Sequence, residues 1–230
     1  MLNIAHRGAS GTFTENTIDA FISGISCGVD MIEMDIRQCK TKELVIFHNR
    51  YHNNRLIKEM TLSECSDNNI ELLYSILEKI SNKTKIYLDL KVPYLYTECN
   101  LEIYIKELVK LLEKVLNNNL FNQKYILLAS FDHNVIKILK NIFINKKIYF
   151  QYGLIFDNNP IKYTIYDKNK CDFIIQSIET MNIPFLEYCK KNNLKYLVYT
   201  INDEELMKKL IRLKVNGIIT DYPRKLKNLI

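Results

Sequence analysis

Short apolar runs and stretches of helical spacing take turns along this chain. Leu2-Asn-Ile-Ala5 reads as a buried strand that runs straight into His6, Arg7 and Gly8. Ile18, Phe21, Ile22 and Ile25 then recur at helical spacing. Thr14 is placed to cap that helix, Glu15 suits its first turn and Gly28 closes it. Met31 to Cys39 is the second strand, and Glu33 and Asp35 share one of its faces because side chains two apart point the same way. Leu44-Val-Ile-Phe47 follows Lys40-Thr-Lys-Glu43 and ends at His48. That connection is too short for a parallel crossover, so the spacing predicts a hairpin. Counted back from the turn, Leu44 faces Cys39 and His48 faces Asp35, which returns the histidine to the acid pair.

Residues 49 to 70 are polar and read as irregular, with a short helix over Leu72 to Ile80. Further strands are predicted over Lys85 to Lys91, Tyr125 to Ala129, within Lys147 to Phe156, and over Asp172 to Gln176, Lys195 to Thr200 and Ile218 to Asp221. Helical spacing marks Leu101 to Val115, Val135 to Ile142 and Ile183 to Lys191. Asn202 or Asp203 caps a later helix that carries Lys214 in its last turn and breaks at Asn216-Gly217. With the hairpin arm set aside, eight strands alternate with helices, which argues for a closed (β/α)8 barrel of the TIM type. Residues 1–230 then form a single catalytic barrel domain with a short hairpin and loop excursion after the second strand. Residues 49–84, too few for a core of their own, make up the excursion. An open doubly wound sheet is the runner-up, and no glycine-rich phosphate loop supports it.

Composition adds limits to this picture. With 47% of 230 residues apolar, a sizeable core is within reach. The net charge of +6 arises from 32 Lys and Arg interleaved with 26 Asp and Glu. A solvated surface is therefore a better reading than a nucleic-acid patch, and no nucleic-acid partner is expected. The charge leaves room for an anionic substrate and at most weak peripheral contact with an anionic membrane. Cys27, Cys39, Cys65, Cys99, Cys171 and Cys189 show neither a zinc spacing nor a disulfide framework, which fits a reduced, cytoplasmic compartment. No leader pattern and no apolar run of membrane-spanning length is present.

The chemistry-bearing residues gather where the predicted strands end. Glu33, Asp35 and Asp89 offer hard oxygen ligands suited to Mg²⁺ or Ca²⁺. His6 and His48 are a candidate acid and base, and Arg7 and Lys91 are cations able to hold a phosphate. Together they point to phosphoryl chemistry on a small anionic ester. Ser130, Thr200 and Asp221 read as support around them, whereas His52 and His133 lack a motif and read as surface residues.

Here the chain resembles the glycerophosphodiester phosphodiesterase family. The resemblance rests on His6-Arg7-Gly8, Glu15-Asn16-Thr17, Glu33-Met-Asp35, His48, Asp89-Leu-Lys91, Ser130-Phe131, Tyr199-Thr-Ile-Asn202 and Gly217-Ile-Ile-Thr-Asp221-Tyr-Pro223, in the family's order. It implies a (β/α)8 barrel that hydrolyses glycerophosphodiesters to glycerol 3-phosphate and an alcohol. It further implies a divalent metal on Glu33, Asp35 and Asp89 and acid/base work by His6 and His48. In the mechanism of this type the substrate's own glycerol hydroxyl attacks phosphorus, and water opens the resulting cyclic phosphate. Glu15 and Asn16 brace the first helix or touch the ligand, and Phe131 and Tyr199 line the pocket.

Four features depart from the family pattern. Asp89 stands where Glu is usual, withdrawing the carboxylate by about 1.5 Å. Asn49 stands where Asp is usual, the following loop lacks Arg-Thr-Thr, and Tyr199 replaces Trp. Two other readings therefore stay open: a phospholipase-D-like or lysophospholipid-cleaving enzyme on the same barrel, and a catalytically decayed phosphodiester-binding protein.

Overall fold

Eight parallel strands close into a ring. The computed structural model describes residues 1–92, 101–160, 162, 166–167 and 169–230, so Cys99 lies outside the described residues. In chain order the strands are β1 (Leu2–Ala5), β2 (Met31–Gln38), β3 (Leu44–Ile46), β4 (Tyr51–His52), β5 (Arg55–Leu56), β6 (Glu71–Leu72), β7 (Lys85–Leu90), β8 (Ile126–Ser130), β9 (Gln151–Phe156), β10 (Phe173–Ser177), β11 (Lys195–Tyr199) and β12 (Gly217–Thr220). β1 pairs with β12 on one side and with β2 on the other, and β7 to β11 complete the circuit. This is the (β/α)8 barrel that the alternation predicts. Its helices are α1 (Ile18–Ser26), α2 (Leu62–Asp67), α3 (Leu73–Lys79), α4 (Leu101–Asn117), α5 (His133–Asn145), α6 (Ile183–Lys191), α7 (Glu204–Arg212) and α8 (Pro223–Lys227).

Period-2 alternation divides each strand between two cores. Ile4, Met31, Tyr87, Leu127, Ile155, Phe173, Leu197 and Ile219 pack together inside the ring. Their neighbours Ala5, Ile32, Leu88, Leu128, Ile174, Val198 and Ile218 face outward and join the apolar stripes of the helices. A third, smaller cluster of Cys39, Val45, Ile57, Met60, Cys65 and Ile70 sits under the excursion.

Gly8 joins β1 to the first helix at very close range. Its φ is +84°, and a Cβ there would lie 2.5 Å from the backbone carbon of Ala20. The Gly8→Ala variant is expected to lose about 2–4 kcal/mol of stability through left-handed strain plus overpacking. A urea titration against the wild type checks this, and a loss below about 0.5 kcal/mol would contradict it.

The structure departs from the sequence reading in four places. The hairpin turn holds three residues, with Cys39 N–H bonded to the Glu43 carbonyl at 3.0 Å and Lys42 at φ +81°. A left-handed third residue is what a three-residue turn requires. The register therefore slips by one: Gln38 pairs with Leu44 and Ile36 with Ile46. Phe47, not His48, lies opposite Asp35, and its N–H donates to the Asp35 carbonyl at 3.0 Å.

The cap of α1 is Thr17 and not Thr14, because Asn16 turns left-handed at φ +59° and draws Glu15 out of the helix. The excursion is ordered: β4 and β5 form a hairpin over Asn53-Asn54, both left-handed, and a Thr61/Glu64 capping box starts α2. Finally, α7 stops at Arg212, so Lys209 and Arg212 occupy its last turn and Lys214 lies beyond it at φ +56°.

Candidate active site

The inward register of each strand, carried two residues at a time past its end, builds the site. Ile4 leads to His6, Met31 to Glu33, Asp35 and Arg37, and Tyr87 to Asp89 and Lys91. Ala129 leads likewise to Phe131, Leu197 to Tyr199 and Ile219 to Asp221. These side chains meet at the carboxyl end of the barrel, where the fold places its chemistry.

Glu33, Asp35 and Asp89 each contribute a carboxylate oxygen within 4.8 Å of the others, and all three residues are buried. Lys91 Nζ lies 3.0 Å from Asp35 and 2.5 Å from Asp89. Arg7 Nε lies 3.1 Å from Asp35 as an ion pair without the alignment of a hydrogen bond. At φ +55°, Arg7 turns its backbone N–H onto Glu33 Oε2 at 2.7 Å. Glu15 accepts from Arg7 Nη1 at 2.6 Å and orients the guanidinium. Asn16 donates to Asp35 Oδ2 at 2.8 Å and accepts from the Asp35 N–H at 3.3 Å. Glu15 and Asn16 thus brace the charged groups.

Burial, added to the nearby Asp35 and Asp89, pushes the Glu33 carboxyl well above the usual range. Burial also pushes Asp89 up to about 6, against the pull of Lys91. Asp35 feels the same burial, but Lys91 and Arg7 outweigh it and hold its carboxyl below the usual value. Asp89 Oδ1 is buried with no hydrogen-bond partner. Converging hard oxygens, one of them unpartnered and two crowded by like charge, fit a divalent cation.

The two histidines are held differently. His6 Nδ1 sits 2.6 Å from Asp221 Oδ1. Ser10 Oγ donates to the same oxygen at 2.9 Å, and Asn202 Nδ2 to Oδ2 at 2.5 Å. Burial raises Asp221, yet the hydrogen bonds from His6 and Asn202 hold its carboxyl down at about 2. His48 follows β3, with Nδ1 2.9 Å from Asn49 Oδ1. Arg37 clamps the His48 carbonyl with Nε at 2.9 Å and Nη2 at 2.6 Å. Burial lowers the His48 pKa, and Asp35 pulls the other way. Despite the slipped register, His48 stays near enough to Asp35 for their charges to interact.

Arg37, Ser10 and the role of Asn202 were missed by sequence reasoning. For Arg37 the signal was the same two-residue spacing that links Glu33 to Asp35. Phe131 and Tyr199 meet edge to face at 6.3 Å between centroids, and Tyr199 donates to the Phe156 carbonyl at 2.9 Å. Ser130 ties β8 to the Leu90 carbonyl at 2.8 Å. His52 and His133 are not bare surface residues. His52 packs against Phe47 and bonds Asn68 at 3.0 Å, and His133 packs against Phe156 and bonds the Ile155 carbonyl at 3.0 Å.

Fold and site together define a phosphoric diester hydrolase on a (β/α)8 barrel. The sequence model of the glycerophosphoryl diester phosphodiesterase family matches residues 6–225, and the chain belongs to that family. It is 29% identical to a glycerophosphodiester phosphodiesterase of Caldanaerobacter subterraneus, covering 100% of this chain and 97% of that protein. It is 22% identical to a human lysophospholipase D, over 99% of this chain and 85% of the relative. Its fold matches an Oleispira antarctica phosphodiesterase solved with the product sn-glycerol-3-phosphate. The TM-score is 0.85 at 24% identity, over 98% of this chain and 94% of that one.

Proposed function

We propose that the chain, acting as one catalytic unit in the cytoplasm, hydrolyses glycerophosphodiesters to glycerol 3-phosphate and an alcohol. The observation that carries this reading is the buried triad of Glu33, Asp35 and Asp89, flanked by Arg7 and Lys91 and approached by His6 and His48. Glu33, Asp35 and Asp89 would hold a divalent cation, which supplies charge neutralisation at the phosphate when bound. Arg7 and Lys91 bind the phosphate oxygens. His48, whose proton affinity is lowered by burial, is neutral near pH 7 and takes the proton from the glycerol hydroxyl that attacks phosphorus. His6, with Nδ1 bonded to the Asp221 carboxylate, is oriented to give a proton to the leaving alcohol from its other nitrogen. The first step yields a cyclic phosphate, and reversed roles let His6 activate the water that opens it. Both histidines then return to their starting states.

Release of glycerol 3-phosphate from glycerophosphocholine by the chelator-treated protein, titrated with Mg²⁺, Ca²⁺ and Mn²⁺, tests the reaction. No product with any of the three, from a folded protein, would overturn it. Preferential cleavage of lysophosphatidylcholine would instead favour a lysophospholipase D.

A readout independent of turnover tests the cation site. A cation at 100 times its Kd adds about 2.7 kcal/mol of stability, which is about 5–10 °C in Tm for a chain of this length. Thermal melts with and without chelator should show that gap in the wild type, and Glu33→Gln should abolish it. An equal response in both proteins would contradict the ligand assignment.

A further inference from the structure

Near its carboxyl end β2 carries two side chains of opposite charge on its inward face, Asp35 and Arg37. Asp35 joins the acid cluster and its two cations. Arg37 is half-buried and forms no ion pair with a described residue. Its Nε and Nη2 both donate to one backbone carbonyl, that of His48, at 2.9 and 2.6 Å.

The backbone ladder does not reach that far. The last paired residues of β2 and β3 are Ile36 and Ile46, and one further bond runs from the Phe47 N–H to the Asp35 carbonyl at 3.0 Å. The next tie comes at Arg50, whose carbonyl accepts from the Ile57 N–H at 3.1 Å. Among the described residues, the Arg37 fork makes the only hydrogen bonds to the backbone of His48 or Asn49. The imidazole itself bonds Asn49 at 2.9 Å. Asn49 rides on the same segment, so that bond cannot fix the ring relative to the barrel. Two N–H groups on one rigid plane set direction as well as distance, which a single ammonium does not.

We infer that Arg37 is the positioning residue of His48, fixing the segment after β3 to the strand that carries Glu33 and Asp35. The fork thereby holds the imidazole where it can take the proton from the attacking hydroxyl. This role rests on the reaction proposed above, with His48 as its base. Arg37 also borders the cavity beside Lys91 and Phe131, so direct binding of the substrate is the competing role.

Steady-state kinetics on glycerophosphocholine separate the two. A base misplaced by about 1 Å can cost about 10²-fold in rate. Arg37→Met should therefore lower kcat by about 10–100-fold, with KM within about threefold of the wild type. Its thermal melts should keep the gap between chelated and cation-loaded protein. Arg37→Lys, with an ammonium in place of the fork, should recover part of the lost kcat. In a His48→Ala background, Arg37→Met should change kcat by less than about twofold, because no imidazole is left to position. An equal fall in both backgrounds would overturn the inference. A raised KM at unchanged kcat, or wild-type kcat in a folded Arg37→Met protein, would overturn it too. If Arg37→Met fails to fold, Arg37→Lys carries the same comparison in both backgrounds. Full activity of His48→Ala would overturn the base and its positioning residue together and leave hydrolysis standing. Failure of the wild type to hydrolyse any glycerophosphodiester would overturn the reaction as well.

Discussion

His6→Ala is expected to lower kcat on glycerophosphocholine by about 10²–10⁴-fold while leaving the fold intact. The imidazole ends β1 at the mouth, outside both barrel cores, so its loss opens no cavity in either. Its main partner survives, since Asp221 keeps hydrogen bonds from Ser10 at 2.9 Å and from Asn202 at 2.5 Å. A fall in kcat with the fold intact would therefore report on the imidazole itself. Asp221→Asn should cost less, because it leaves the ring in place and changes only the partner that orients it. Steady-state kinetics with circular dichroism on both variants check the order. Near-wild-type turnover by a folded His6→Ala protein would remove this histidine from the mechanism.

Asp35→Ala is expected to be the most destabilising change in the site. Asp35 is 1% exposed and meets Lys91 at 3.0 Å, Arg7 at 3.1 Å and the Asn16 amide at 2.8 Å. Removing the carboxylate takes a shared anion from two largely buried cations and orphans the Asn16 donor. Breaking a buried ion pair from one side costs about 3–5 kcal/mol, or about 6–20 °C in Tm at this chain length. Asp35→Asn keeps the shape and a hydrogen-bonding oxygen, so it should lose less stability. Chemical denaturation of the pair checks this. A loss under about 1 kcal/mol for Asp35→Ala would mean that the cations are adequately solvated without it.

Much of this site was legible because strands count in twos. Glu33 with Asp35, and Asp89 with Lys91, announce shared faces by their spacing alone, and eight strand–helix alternations announce the ring. What escaped depended on backbone states or on partners distant in sequence. Lys42 in the left-handed region shifts the hairpin by one residue, and a non-glycine there gives no warning. Asn16 also turns left-handed, which moves the cap to Thr17 and aims its amide at Asp35. The Ser10–Asp221 bond joins positions 211 residues apart. Other signals were present and unread: Asn53-Asn54 suits a two-residue hairpin, and Thr61-Leu-Ser-Glu64 suits a capping box.

The small cluster beneath the excursion leaves the two histidines unequally anchored. His6 rides on a strand bonded on both sides within the ring. His48 follows β3, which leaves the ring, pairs outward only with the two-residue β6, and rests on a cluster of six buried side chains. Regions with few buried contacts open at lower free energy than the body of a fold. On warming, the segment bearing His48 will detach while the barrel and His6 persist. Inactivation should therefore precede melting, and the enzyme's working ceiling is set by its least anchored loop.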